Sequence, residues 1–224
     1  MYQVTTVRDY GAYRIIGPTK LPLAVEGKDR AVEFTHNGFR FPTGRYSVLS
    51  LGNPLTVNLT LNPQGPLVRI SSNCQWAFYF DSQLCDCRWQ LEASKQRIVQ
   101  ENGLLIFAHD QNGKGLPIED HWLVYAEGQH AKPPLELVVD AYNHLGFEED
   151  GRQYKDIATI LKHYLTRHVR RIRLLSNSPR KKEALDREGI ETTLEPLEQP
   201  AHDLLKQEYR AKKQKLGHLL RGEF

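Results

Sequence analysis

Apolar residues recur along this chain in two rhythms, one of period two and one near 3.6, and their alternation lays out the fold. Short runs at residues 13–16, 31–36, 46–51 and 55–61 predict strands, with Gly17-Pro18, Pro42, Gly52 and Pro63 as breaks between them. The last of these, Leu55-Thr-Val-Asn-Leu-Thr-Leu61, alternates strictly, as a half-buried strand does. Residues 68–72 continue as a further strand, and 103–108 read as a buried one because Leu104-Leu-Ile-Phe-Ala108 has no polar interruption. Helical character appears over 82–100, where Ser82 is a good N-cap, and over 118–128. It is strongest over 154–168, where Ile157, Ile160, Leu161, Tyr164 and Leu165 share a face. A strand is expected at 171–175, a helix opened by Pro179, and a basic helix in 201–224. Strands alternating with helices predict an α/β (α+β) domain, a layered mixed sheet with flanking helices.

Composition narrows the class. Hydrophobic residues make up 40% and charged residues 25% of the 224 residues, which excludes a disordered chain. Apolar runs are far too short to span a bilayer, and the first residues, MYQVTTVRDYG, lack a signal-peptide pattern, so a soluble cytoplasmic protein without membrane attachment is expected. The net charge is only +3, although basic residues cluster in HVRRIR (168–173), RKK (180–182) and RAKKQK (210–215). No nucleic-acid module accompanies them, so nucleic acid is not the expected partner.

Chemistry concentrates in one stretch. Cys74, Cys85 and Cys87 are all the cysteines of the chain, and ordinary core thiols would be scattered. An odd count cannot close into intrachain disulfides, so a soft metal held by thiolates is the natural reading, with zinc first. Three protein ligands leave one tetrahedral position for water, as in a catalytic zinc site; a structural site completed by a histidine is the alternative. His109 could be such a ligand or a satisfied surface group. Trp76, Phe78, Tyr79 and Phe80 could stack on a base or pack as core or lid.

The run Cys74, ten residues, Cys85-Asp86-Cys87, then Gln90-Leu91-Glu92-Ala93 resembles the GTP cyclohydrolase II family. The similarity extends over about 68–200 and returns in the closing KLGHLL of 215–220. Leu145-Gly-Phe-x-x-Asp-x-Arg resembles the family's active-site loop, and Arg173-Leu-Leu-Ser-Asn-Ser-Pro-Arg-Lys181 its Arg-Leu-Leu-Thr-Asn-Asn-Pro-x-Lys segment. The strand pattern predicts a β-rich N-terminal segment, 1–66, only loosely related to the family, packed on what the resemblance implies is a GTP cyclohydrolase II-like catalytic domain, 67–224. It implies that zinc-bound water attacks C8 of the guanine of GTP, that formate leaves, and that pyrophosphate is cleaved with the help of Mg2+. Cys74, Cys85 and Cys87 become the metal ligands, and Asp150, Arg152 and Tyr125 the catalytic residues. Arg69, Ser72, Gln90, Asn112, Gly113, Lys114, Ser176 and Lys181 become substrate-binding residues, and a homodimer is expected.

Two points stay open at this level. The family role of Arg152 is nucleophile at the α-phosphate, whereas a guanidinium, protonated at neutral pH, is better suited to clamp phosphate. The chain also departs from the family's pattern: its histidine and glutamate before the first cysteine are Ser71 and Asn73, the arginine before Cys-Asp-Cys is Leu84, and Gln-Glu-Gly-Arg is Gln111-Asn112-Gly113-Lys114. These changes leave room for a paralogue with the same chemistry on another nucleotide or heterocycle. A nucleotide-binding protein with a purely structural zinc is the non-enzymatic alternative.

Overall fold

The computed structural model describes residues 6–51, 63–131, 138–148, 150–165, 170–199 and 203–221. Its strands are β1 (Val7–Asp9), β2 (Arg14–Leu23), β3 (Val32–Phe41), β4 (Gly44–Ser50), β5 (Leu67–Asn73), β6 (Leu104–Asn112), β7 (Arg171–Leu175) and β8 (Glu191–Glu195). The helices are α1 (Gln75–Phe80), α2 (Cys87–Glu101), α3 (Ile118–His130), α4 (Val138–His144), α5 (Tyr154–Tyr164), α6 (Pro179–Arg187) and α7 (Asp203–Leu216). All these strands join one mixed sheet in the order β1-β2-β3-β4-β6-β5-β7-β8. The first four form an antiparallel meander whose last member pairs antiparallel with β6, Tyr46 opposite Ala108. From β6 to β8 the pairing is parallel.

The central strands are apolar on both faces because both are covered. On one face Val68, Ile70, Leu104 and Ile106 meet Ile157, Ile160 and Leu161 of α5 and Leu185 of α6. On the other, Leu67 and Leu105 meet Ile98 of α2, with Trp89 and Leu91 at its margin. The helical spacing over 154–164 is thus the stripe that α5 presents to the sheet. No helix among the described residues is long and apolar enough to cross a membrane.

Several expectations need correcting. Gly17-Pro18 does not end a strand: β2 runs through it, and its pairing with β3 shifts register between Ile16 and Thr19, the kind of irregularity where a strand tolerates proline. Ser82 does not cap a helix over 82–100. Its hydroxyl accepts the Leu84 N–H in a turn, and the helix starts only at Cys87 after a separate short helix, α1. β8 was not anticipated, and α7 ends at Leu216, with the last described residues non-helical. The strand expected at 55–61 lies outside the described residues, as do 166–168 of the 154–168 helix.

Two arginines tie the far ends of the elements together. Arg173 on β7 reaches Glu101 and Glu195 at 2.7 Å each, and Arg97 on α2 reaches the same two carboxylates at 2.6 Å. Arg173 is buried and Arg97 is not. Arg173→Ala is therefore expected to lower stability by about 3 kcal/mol, the low end for a broken buried pair because Arg97 still neutralises the glutamates. Urea denaturation checks this, and a loss equal to that of Arg97→Ala would refute the burial argument.

Candidate active site

Parallel strands β5, β6 and β7 all point their carboxyl ends to the same side, and the chain order reverses about β5: it goes from β5 out to β6, then back across to β7. Such a reversal leaves a crevice outside the strand ends. A cavity lies there, lined by Ser71 and Ser72 at the end of β5 and Cys74 just after it, Gly113 and Lys114 after β6, and Ser176 after β7. Its lining residues sit on strand ends, loops and helices.

The three cysteine Sγ atoms lie within 4.8 Å of one another, Cys74 and Cys85 at 3.6 Å. This geometry explains the late start of α2. Residues 85 and 87 in one helix would point about 200° apart; with Cys85 in the preceding turn and Cys87 at the first helical position, both reach Cys74. Contact with Cys85 favours the Cys74 thiolate, but Cys87, burial and mutual repulsion outweigh it and push the thiol up to about 12. The Cys74 contact, with burial, pushes Cys85 up to about 12 as well. Three thiols so placed ionise together only around a cation. Tetrahedral zinc with bonds of about 2.3 Å spaces its sulfurs about 3.8 Å apart, so the cluster could hold such a metal.

Asp86, between Cys85 and Cys87, is buried and accepts from Gln90 Nε2 at 2.6 Å and from the Tyr209 hydroxyl at 2.6 Å. Gln90 Oε1 in turn accepts from Arg69 at 2.5 Å, and Arg69 donates to the Leu175 carbonyl at 2.9 Å. A continuous hydrogen-bonded chain thus links α7, the cysteine loop, α2, β5 and β7.

Across the cavity Asp150 receives Arg152 Nε at 2.7 Å, a second N–H of the same guanidinium, and the Tyr154 hydroxyl at 3.2 Å. Burial opposes ionisation of Asp150, but the Arg152 hydrogen bonds and the charges of Arg152 and Lys181 hold its carboxyl below the usual range. Burial also opposes the charge on Arg152, yet Tyr154 and Asp150 outweigh it and keep the guanidinium firmly protonated. Lys181 is buried, donates to the Ile70 carbonyl at 3.3 Å, and is held well below its ordinary value by burial and then by Arg152 and Arg69. The 113–115 turn is locked to the Asp150 loop, since Gly151 N donates to the Lys114 carbonyl at 2.9 Å. Gly113 has φ 51° and a side chain there would meet His121 at 2.6 Å; at Gly115, φ 96°, it would meet the Arg152 backbone at 2.6 Å. Both positions require glycine.

Of the residues singled out from sequence, Cys74, Cys85, Cys87, Arg69, Ser72, Gln90, Gly113, Lys114, Tyr125, Asp150, Arg152, Ser176 and Lys181 line this one cavity. Asn112 does not; it borders a neighbouring surface depression with Asn73 and Asp110. His109 stands apart from the thiols, its Nε2 2.8 Å from the Ser47 hydroxyl. Of the aromatic run, Trp76 packs against Tyr125 with centroids 4.7 Å apart, Phe78 packs on Phe107, and Tyr79 and Phe80 are exposed. Sequence reasoning missed His121, Tyr142, Arg180, Tyr209, Lys212 and His218 as lining residues. His218 carried a signal as part of KLGHLL, and Arg180 and Lys212 as members of the basic clusters RKK and RAKKQK.

The sequence model of the family described as GTP cyclohydrolase II matches residues 18–195. The chain is 33% identical to GTP cyclohydrolase-2 of Archaeoglobus fulgidus over 208 residues, which cover 92% of this chain and 50% of that protein. It is 34% identical to GTP cyclohydrolase-2 of Helicobacter pylori strain J99 over 158 residues, 70% of this chain and 78% of that protein. Riboflavin biosynthesis protein RibBA of Staphylococcus saprophyticus is 30% identical over 96% of this chain and 52% of its own length. The chain thus spans about half the length of the Archaeoglobus and Staphylococcus relatives. With a match over most of the chain and its cysteine cluster in a strand-end cavity, this chain belongs to the GTP cyclohydrolase II family.

Proposed function

We propose that this chain is a zinc-dependent hydrolase that opens the imidazole ring of the guanine of GTP, releasing formate and pyrophosphate. The observation that carries the reading is the convergence of the thiol cluster, the Asp150–Arg152 pair and several basic side chains on one cavity. A purely structural zinc needs none of the second and third.

Cys74, Cys85 and Cys87 would hold the metal. A zinc ion there supplies Lewis acidity, which brings the pKa of a water to about 7. The rest falls to the chain's own groups. Asp150 is ionised and faces the cavity, so it is suited to accept a proton once substrate displaces part of its hold on Arg152. Arg152, planar and permanently charged, is suited to clamp a phosphate in two hydrogen bonds; with its lone pair delocalised and its proton firmly held it is poorly suited to attack phosphorus. Lys181 and Lys114 add charge for the polyphosphate, which would carry Mg2+. Gln90, fixed by Asp86 and Arg69, is placed to orient the base beside the thiols. Tyr125, packed on Trp76 and His121, gives the cavity an aromatic wall.

A second reading, the same chemistry on another nucleotide, draws on the substitutions. Of the departing positions Ser71 and Lys114 line the cavity, whereas Asn73, Leu84 and Asn112 do not. Most of the divergence therefore falls away from where substrate would sit, which favours GTP.

Formate release from GTP with Mg2+ by the zinc-loaded protein tests the reaction; full zinc occupancy with no turnover would pass the case to the second reading. Cys85→Ser is expected to lose zinc, and stoichiometric metal in that variant would overturn the ligand assignment. Asp150→Asn is expected to cut turnover by about 10²–10⁴-fold with zinc content intact. Unchanged turnover would remove Asp150 from the mechanism.

A further inference from the structure

We propose that His218, carried to the cavity by the C-terminal segment, is a further substrate-contact residue: it binds the phosphate end of the nucleotide and takes up a proton from solvent as that polyanion binds. The inference rests on the nucleotide reading above and extends it to a part of the chain outside residues 18–195, the span matched by the family.

Charge accounting points there first. Arg69, Lys114, Arg152, Arg180, Lys181 and Lys212 line the cavity. The carboxylates that line it are Asp86 and Asp150, and both are already engaged, Asp86 by Gln90 and Tyr209 and Asp150 by Arg152 and Tyr154. Basic groups thus outnumber carboxylates among the lining residues, and such a lining suits an anionic ligand.

His218 is held in this ring by its backbone. Leu219 N donates to the Asn177 carbonyl at 2.8 Å, His218 N to the Lys212 carbonyl at 3.2 Å, and Leu216 and Leu220 are buried on either side. The imidazole feels cations from every wall: Lys212 of α7, Lys114 of the turn after β6, Lys181 of α6 and Arg152 of the loop before α5. Burial first, then these charges, hold it down to about 3, so it is neutral in the free protein. Among those charges a neutral ring is the cheapest occupant. A bound polyphosphate reverses the sign of the local field, and the ring can then gain a proton and donate both N–H groups to phosphate oxygens. Because its pKa is higher in the complex than in the free protein, its contribution to affinity is greatest at low pH. It fades as pH rises through the pKa of the complex.

The probe is inorganic triphosphate with Mg2+, titrated calorimetrically into the zinc-loaded protein in buffers of different ionisation enthalpy between about pH 6 and 8. Wild type is expected to take up more protons than H218Q, by up to about one, and the ratio of their affinities to fall by up to about tenfold per pH unit. Equal proton uptake and equal affinity in the two proteins would overturn the role of His218. Absence of triphosphate binding to wild type would overturn both this inference and the nucleotide reading beneath it. Carbon-13 resonances of the wild-type imidazoles give the same answer without a variant. One ring should stay neutral to about pH 4 alone and titrate near neutrality with triphosphate; no such ring would refute the proposal.

Discussion

Three thiols within 4.8 Å of each other cannot ionise together in a buried site without a cation among them, and much of this structure follows from that constraint. It fixes where α2 begins, because Cys85 and Cys87 converge only if one of them stands outside the helix. It gives Asp86 a reason to be buried between them, where its carboxylate pins Gln90 and receives Tyr209 rather than facing the thiols unpaired. It also accounts for Arg69, whose guanidinium lies in the field of Cys87 and Asp86 and whose own burial is otherwise unfavourable. Cationic and anionic groups are here each tolerable only because the other is present, so the cysteine loop and the basic side of the cavity are electrostatically one unit.

The sheet supplies the frame for that unit. Antiparallel strands β1–β4 add width but place none of their residues at the cavity; they brace it from behind. The Tyr46 hydroxyl donates to Asp156 at 3.1 Å and accepts from Gln111 at 3.1 Å, and Thr43 donates to Asp156 at 2.5 Å. One tyrosine of the meander therefore ties the end of β6 to the start of α5, the two elements whose adjoining loops carry Lys114 and Arg152. Displacement of either loop has to break a buried hydrogen bond.

What could be read from sequence was what local pattern encodes. Leu104–Ala108 is apolar on both sides because both faces are covered, and Pro179 opens α6 as its fixed φ favours. The spacing of the cysteines announced a shared partner. What could not be read depends on direction or distance. Asn112 and Lys114 are two residues apart, yet a turn at Gly113 leaves the buried Asn112 bordering a separate depression and brings Lys114 to the cavity. Ser82 has the composition of a cap, but the demand that the sulfurs converge overrides local propensity. Tyr209 reaches Asp86 across 123 residues, a contact with no local signature at all.

That last contact shows why the C-terminal segment belongs to the site rather than to the surface. Tyr209 fixes α7 against the cysteine loop, and Leu219 fixes the chain beyond it against the loop after β7. Between these two anchors Lys212 and His218 have little choice but to border the cavity. Burial of the tyrosine and its bond to Asp86 push the Tyr209 hydroxyl well above its ordinary value, so it stays a donor at any physiological pH. A segment held at both ends by hydrogen bonds keeps its position while the charges between them change. This is the condition under which a histidine can change protonation state with its ligand and leave the fold undisturbed.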